Sequence, residues 1–105
     1  MDIKLSAVPA REIMAGYHGK MIHTAHMTLA FWEVEEGATV PEHAHYNEQV
    51  MQVLEGVFDF TVGGVTKTYH PGDIAVIAPN VPHSGRAITP CKLMDVFSPA
   101  RDDYK

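Results

Sequence analysis

The sequence predicts an all-β domain, a sandwich or barrel of short strands, and three observations carry that reading. Glycine and proline interrupt the chain at short intervals, at Gly37, Pro41, Gly56, Gly63, Gly64, Pro71, Gly72, Pro79, Pro82, Gly85 and Pro90. The segments between them are rich in Val, Ile, Thr, Phe and Tyr, residues that fit a half-buried pleated surface. One segment, "VFDFTVGGVTKTY", reads as a complete hairpin, with residues 57–62 and 65–69 flanking Gly63-Gly64, a two-residue turn in which both glycines can take positive φ.

The elements follow in order. Pro9 to Met14 can hold one turn of helix or an edge strand. "MTLAFWEVE" before Gly37 reads as a strand on which Phe31 and Trp32 face opposite ways. "PEHAHYNEQVMQVLEG" has two readings. A proline at its start, a glycine at its end, and Val50, Met51 and Leu54 at helical spacing suit a helix. Direct continuation into the hairpin, and the lack of other helices to pack against, suit a strand. "DIAVIA" after Gly72 and "KLMDVF" near the C-terminus are further strands.

A chain of 105 residues builds one core, so a single domain spanning 1–105 is expected. With 46% hydrophobic and 20% charged residues it has the composition of a folded protein. A net charge of -5 argues against nucleic acid as a partner, because phosphates demand a basic face. Cys91 is the only cysteine, so no intrachain disulfide can form and a reducing, cytoplasmic setting is the simpler expectation. "MDIKLSAVPAREIM" lacks the apolar core of a signal peptide, and no stretch approaches the roughly 20 apolar residues that span a bilayer.

The chemistry rests on histidines. On a helix His43 and His45 point to nearly opposite sides; on a strand they share a face, and Asn47 and Gln49 share it with them. In that case His43, His45 and Gln49 offer three neutral N or O donors, suited to a divalent ion such as Zn, Ni, Mn or Fe. An HxH pair alone is weak, since solvent-exposed histidines beside a turn would look the same. A second stretch, "PGDIAVIAPNVPHSG", changes the balance: a turn, a strand, then a loop stiffened by Pro79 and Pro82 that delivers His83 as a fourth ligand. Asn80 in that loop is one of the few non-glycine residues that tolerates left-handed backbone. His18, His23, His26 and His70 have no comparable partner motif.

These two stretches resemble the motifs of the cupins. The first runs from Gly37 through five residues to His43-Ala44-His45, then Gln49 and Gly56; the second has Gly72, Pro79, Asn80 and His83. Ala78 and Asn80 stand where proline and glycine are commoner in that family, and Ala87 stands near the place of a usual asparagine that is not a ligand. The resemblance covers about half the chain and implies a single-domain double-stranded β-helix, or jelly-roll barrel. It also implies Gln49 as third ligand, and Glu48, one residue earlier, faces away.

The ending "LMDVFSPARDDY" narrows the resemblance to the small cupins of pectin and alginate breakdown that linearise 4,5-unsaturated monouronates. That resemblance implies active-site roles for Asp95, Phe97 and Arg101. The residues themselves are compatible with it: Leu93, Asp95 and Phe97 share a strand face, and a carboxylate among them is costly inside a barrel unless it is used or paired. The bland alternative is a salt bridge from Asp95 to Arg101 or Arg86. The expected function is metal-dependent ring opening of a small anionic sugar, with Asp95 as general acid/base and Arg101 on the substrate carboxylate. A cupin dioxygenase or lyase, and a non-catalytic sugar-binding cupin, remain alternatives. The first twenty residues, with Ile3, Leu5, Val8 and Ile13, are expected to cross to a partner and cover a sheet edge in a homodimer.

Overall fold

The computed structural model describes residues 1–105 as ten antiparallel strands with two short 3₁₀ turns, at Leu5–Ala7 and Asp102–Tyr104. The strands are β1 (Arg11–Met14), β2 (Tyr17–His23), β3 (Thr28–Val34), β4 (Thr39–His43), β5 (Glu48–Glu55), β6 (Phe58–Val62), β7 (Val65–Tyr69), β8 (Ile74–Ile77), β9 (His83–Ala87) and β10 (Cys91–Ser98). Six form one sheet in the order β1-β2-β3-β10-β5-β8; four form a second in the order β4-β9-β6-β7. Buried residues of the two sheets meet in one core, among them Trp32, Val53, Phe58, Phe60, Ile77 and Leu93. This is the all-β jelly-roll sandwich read from the sequence. No helix is long and apolar enough to cross a membrane.

Local chemistry accounts for the elements. The hairpin β6–β7 turns at Gly63 and Gly64, with φ of 56° and 80°, the primed-turn geometry that matches strand twist. Strand β10 alternates cleanly, with Cys91, Leu93, Asp95 and Phe97 facing in and the residues between them facing out. It lies between β3 and β5, so its inward row runs down the middle of the larger sheet. Of the two readings for residues 9–14 the edge strand holds, and β1 extends its own chain's sheet through β2. Strand β2 has no counterpart in the sequence reading, because "YHGKMIH" lacks clear alternation.

The stretch from His43 to Gln49 is neither one helix nor one strand. Strand β4 ends at His43, residues 44–47 bend, and β5 starts at Glu48. The two strands belong to different sheets, so this is where the chain crosses from one layer to the other. Asn47 fixes the crossing: its buried side-chain amide donates to the carbonyls of Pro99, at 2.6 Å, and Ala100, at 3.3 Å. It therefore does not join the histidines, as a continuous strand would have required. The Asn80 amide donates to the His45 carbonyl at 2.7 Å, and Asn80 has the left-handed φ of 66° that the sequence allowed it.

Candidate functional site

Each histidine of the two motifs arrives from a strand end. His43 closes β4, His83 opens β9, and the two are cross-strand partners with ring centroids 4.2 Å apart. His45 sits on the bend and turns back, its ring 4.9 Å from that of His83 and 5.7 Å from that of His43. One ring nitrogen from each of the three lies within 4.8 Å of the others. The other nitrogen is already committed. Nδ1 of His43, His45 and His83 donates to the carbonyls of Pro41 (2.9 Å), Asn47 (3.0 Å) and Val81 (2.8 Å) respectively. That pattern fixes the tautomer and leaves each Nε2 as a lone pair, the arrangement that surrounds metal-ligating histidines.

Gln49 completes the donor set from the opposite sheet. Its Nε2 donates to Asp95 Oδ1 at 2.9 Å, which turns its Oε1 toward His45 Nε2, 3.1 Å away. With the His45 proton on Nδ1, these two facing atoms are both acceptors, and a cation bound by both would satisfy them. His83 Nε2 is likewise buried with no hydrogen-bond partner. Burial pushes His83 down to about 4, helped by the neighbouring His43, His45 and Arg101; burial, followed by Arg101, also lowers His45. Both rings are neutral at physiological pH, as a ligand must be. The residues therefore fit a divalent ion held by three imidazoles and one amide oxygen. Glu48 points to solvent.

Asp95 lies beside this set. It is 7% exposed, and its oxygens accept from Gln49 Nε2 and Trp32 Nε1, each at 2.9 Å. Neither hydrogen bond comes from a charged partner, so the salt bridge to Arg101 or Arg86 is absent. Burial pushes its carboxyl up to about 6, against the opposing pull of Gln49 and Trp32. Arg101 is not a solvated tail residue: it is 6% exposed and clasps Asp103 through Nε and Nη2, at 2.9 and 2.8 Å. Its guanidinium lies 4.8 Å from the centroid of Phe97 and 4.1 Å from that of Tyr104, while Nη1 is buried without a partner. Phe97 is buried and sets its ring edge-on to His45 at 5.6 Å.

His43, Gln49, His83, Asp95, Phe97 and Arg101 all line one cavity of about 300 Å³. The sequence reading left open whether Phe31 or Trp32 faces inward; it is Trp32, opposite Leu93 in the register, with Phe31 turned out. Tyr17 and Tyr104 also line the cavity and were missed: Tyr17 stands near no motif, and Tyr104, though it ends the quoted C-terminal stretch, was not singled out. The other histidines take no part: His18 pairs with Glu35 at 2.9 Å, His23 bonds Thr28 at 2.9 Å, and His70 lies near Asp73.

A family model described as a cupin domain matches residues 30–97. Among solved structures, the chain is similar over its whole length to KdgF from Halomonas sp., with a TM-score of 0.94 and 25% identity, covering 100% of this chain and 98% of that one. An RmlC-like cupin from Shewanella frigidimarina gives a TM-score of 0.94 at 31% identity, with 98% and 94% covered. The polyketide cyclase RemF from Streptomyces resistomycificus, at 21% identity and a TM-score of 0.83 over 97% and 81% of the two chains, shares the fold. Curated proteins supply no match.

Proposed function

The chain belongs to the cupin domain family, and from that premise we propose that it is a metal-dependent enzyme that opens and ketonises 4,5-unsaturated monouronates. The observation that carries this reading is Asp95, a buried carboxylate held by two neutral donors on the wall of the cavity that also receives His43, Gln49 and His83, with His45 clustered beside those histidines. The resemblance of residues 93–104 to the uronate-linearising cupins and the full-length likeness to KdgF support the choice of substrate.

The reaction is an isomerisation, so its atoms balance without a redox partner. The anomeric hydroxyl loses a proton as C1 becomes a carbonyl. The C1–O5 pair moves to the ring oxygen, giving an enolate across C4 and C5, and a proton added at C4 completes the ketone. A divalent ion bound by His43, His45, Gln49 and His83 would supply Lewis-acid polarisation of substrate oxygens. Asp95 takes the anomeric proton and returns it at C4, a double duty suited to a carboxyl whose pKa of about 6 lies near working pH. Arg101, fixed by Asp103, presents Nη1 to the substrate carboxylate, and Phe97 shields the site from water.

The test is to mix the pure, metal-loaded protein with an unsaturated monouronate and follow loss of the ring-alkene absorbance. Acceleration over the spontaneous opening is expected, with Arg101→Lys raising KM because an ammonium cannot hold Asp103 through two nitrogens and present a third to the substrate. A rate equal to the spontaneous one, with metal demonstrably bound, refutes the proposal.

The homodimer is also a proposal, and the outer face of the larger sheet supports it. Leu54, Ile74 and Val76 are exposed on the neighbouring strands β5 and β8, an apolar row that association would cover.

A further inference from the structure

Three buried side-chain polar atoms have no hydrogen-bond partner: His83 Nε2, Arg101 Nη1 and Tyr17 Oη. All three residues line the same cavity. The proposed function accounts for the first as a metal donor and for the second as a carboxylate donor. It gives the third no task.

Tyr17 opens β2 and is only 3% exposed. Its ring packs edge-on to Trp32 at a centroid distance of 5.8 Å, in surroundings supplied by Ile13, Met14 and Leu93. Phenylalanine would suit those contacts without leaving a hydroxyl unpaired, and an unpaired buried hydroxyl is destabilising. Burial raises the phenol's pKa, and the charge of Asp95 adds to the shift. The group therefore stays protonated and is a hydrogen-bond donor throughout the working pH range.

We infer that Tyr17 is a substrate-binding residue whose phenol donates to a secondary ring hydroxyl of the sugar. The inference rests on the proposed function and deepens it by elimination. The anomeric oxygen, ring oxygen and C4 belong with the metal donors and Asp95, where bonds change. The carboxylate belongs to Arg101. The oxygens that remain on a 4,5-unsaturated monouronate are those at C2 and C3. Of these, C2 is the centre at which the pectin-derived and alginate-derived products differ, because C3 has the same configuration in both and C4 and C5 have become planar. A phenol that donates to the C2 hydroxyl would discriminate between the two classes of product.

The experiment compares wild type with Tyr17→Phe on both unsaturated monouronates, and on an analogue lacking the C2 or the C3 hydroxyl. Metal content and melting temperature are measured in parallel. Tyr17→Phe should keep its metal and its fold, and lose kcat/KM by about ten-fold or more on the preferred substrate, the scale of one buried hydrogen bond left unmade. Where the oxygen the phenol meets is that at C2, the variant should also narrow the preference between the two natural sugars. One of the deoxy analogues should be as poor for wild type as the natural substrate is for the variant, with no further loss when the two changes are combined. Wild type no faster than the spontaneous opening overturns the proposed function and this assignment together. An active wild type with Tyr17→Phe within two-fold on both sugars overturns only Tyr17, and that is also the result expected if the phenol merely bonds a water.

Discussion

Asp95 makes a quantitative test possible, because its pKa of about 6 against an ordinary 3.8 is also a statement about stability. Between roughly pH 4 and 6 the folded protein holds a proton that the unfolded chain has released, so stability falls as pH rises through that window. The shift of about 2 units corresponds to about 3 kcal/mol when complete. About 1 kcal/mol of it is already present at pH 4.5, and nearly all of it at pH 7.5, from the two-state linkage relation. Asp95→Asn imitates the protonated acid: its carbonyl accepts from Trp32, and Gln49 can turn its amide over to accept from the new NH₂ group. The variant should therefore be more stable than wild type by about 3 kcal/mol at pH 7.5 and by only about 1 kcal/mol at pH 4.5. Urea unfolding of both proteins at the two pH values, in chelator, isolates the term, because every other titration cancels in the comparison. Chelation matters, since a bound cation would favour the ionised carboxylate. The same variant should be inactive. Equal stability differences at the two pH values, or a variant weaker than wild type at pH 7.5, would refute the account of Asp95.

His83→Ala removes the donor that has no other partner, so elemental analysis should find well under one bound ion per chain; retention of a full equivalent would refute the metal assignment. Sizing by light scattering at micromolar concentration should give a dimer mass for wild type and a monomer for Val76→Glu, which places a charge on the exposed row of β8. A monomeric wild type would dismiss the association.

What the sequence revealed and what it hid divide along contact range. Gly63-Gly64 specifies its hairpin within thirteen residues, and the alternation of "CKLMDVFS" puts Asp95 and Phe97 on one face; both are local patterns, and both hold. The His43–Gln49 stretch is different. Strand parity selected the residues that do converge, yet by the wrong geometry, because the chain breaks at 44–47 and changes sheets. The cause is the bond from Asn47 to carbonyls more than fifty positions away, which no short-range pattern encodes. The pairing of Arg101 with Asp103 is local and could have been read from "RDD"; its burial against Tyr104 could not. Trp32 reaches Asp95 across 63 positions, and Tyr17 enters the cavity from a strand that carries no motif at all.

The crossing at residues 44–47 has a mechanical consequence. His43 and His83 ride on the four-stranded sheet, whereas Gln49 and Asp95 ride on the six-stranded one. Anything gripped by both sets acts as a rivet between the two layers. Filling the site would then add a second tie between the layers to the core they already share. An ion of different radius would then alter the space left for the sugar without touching any residue that binds it.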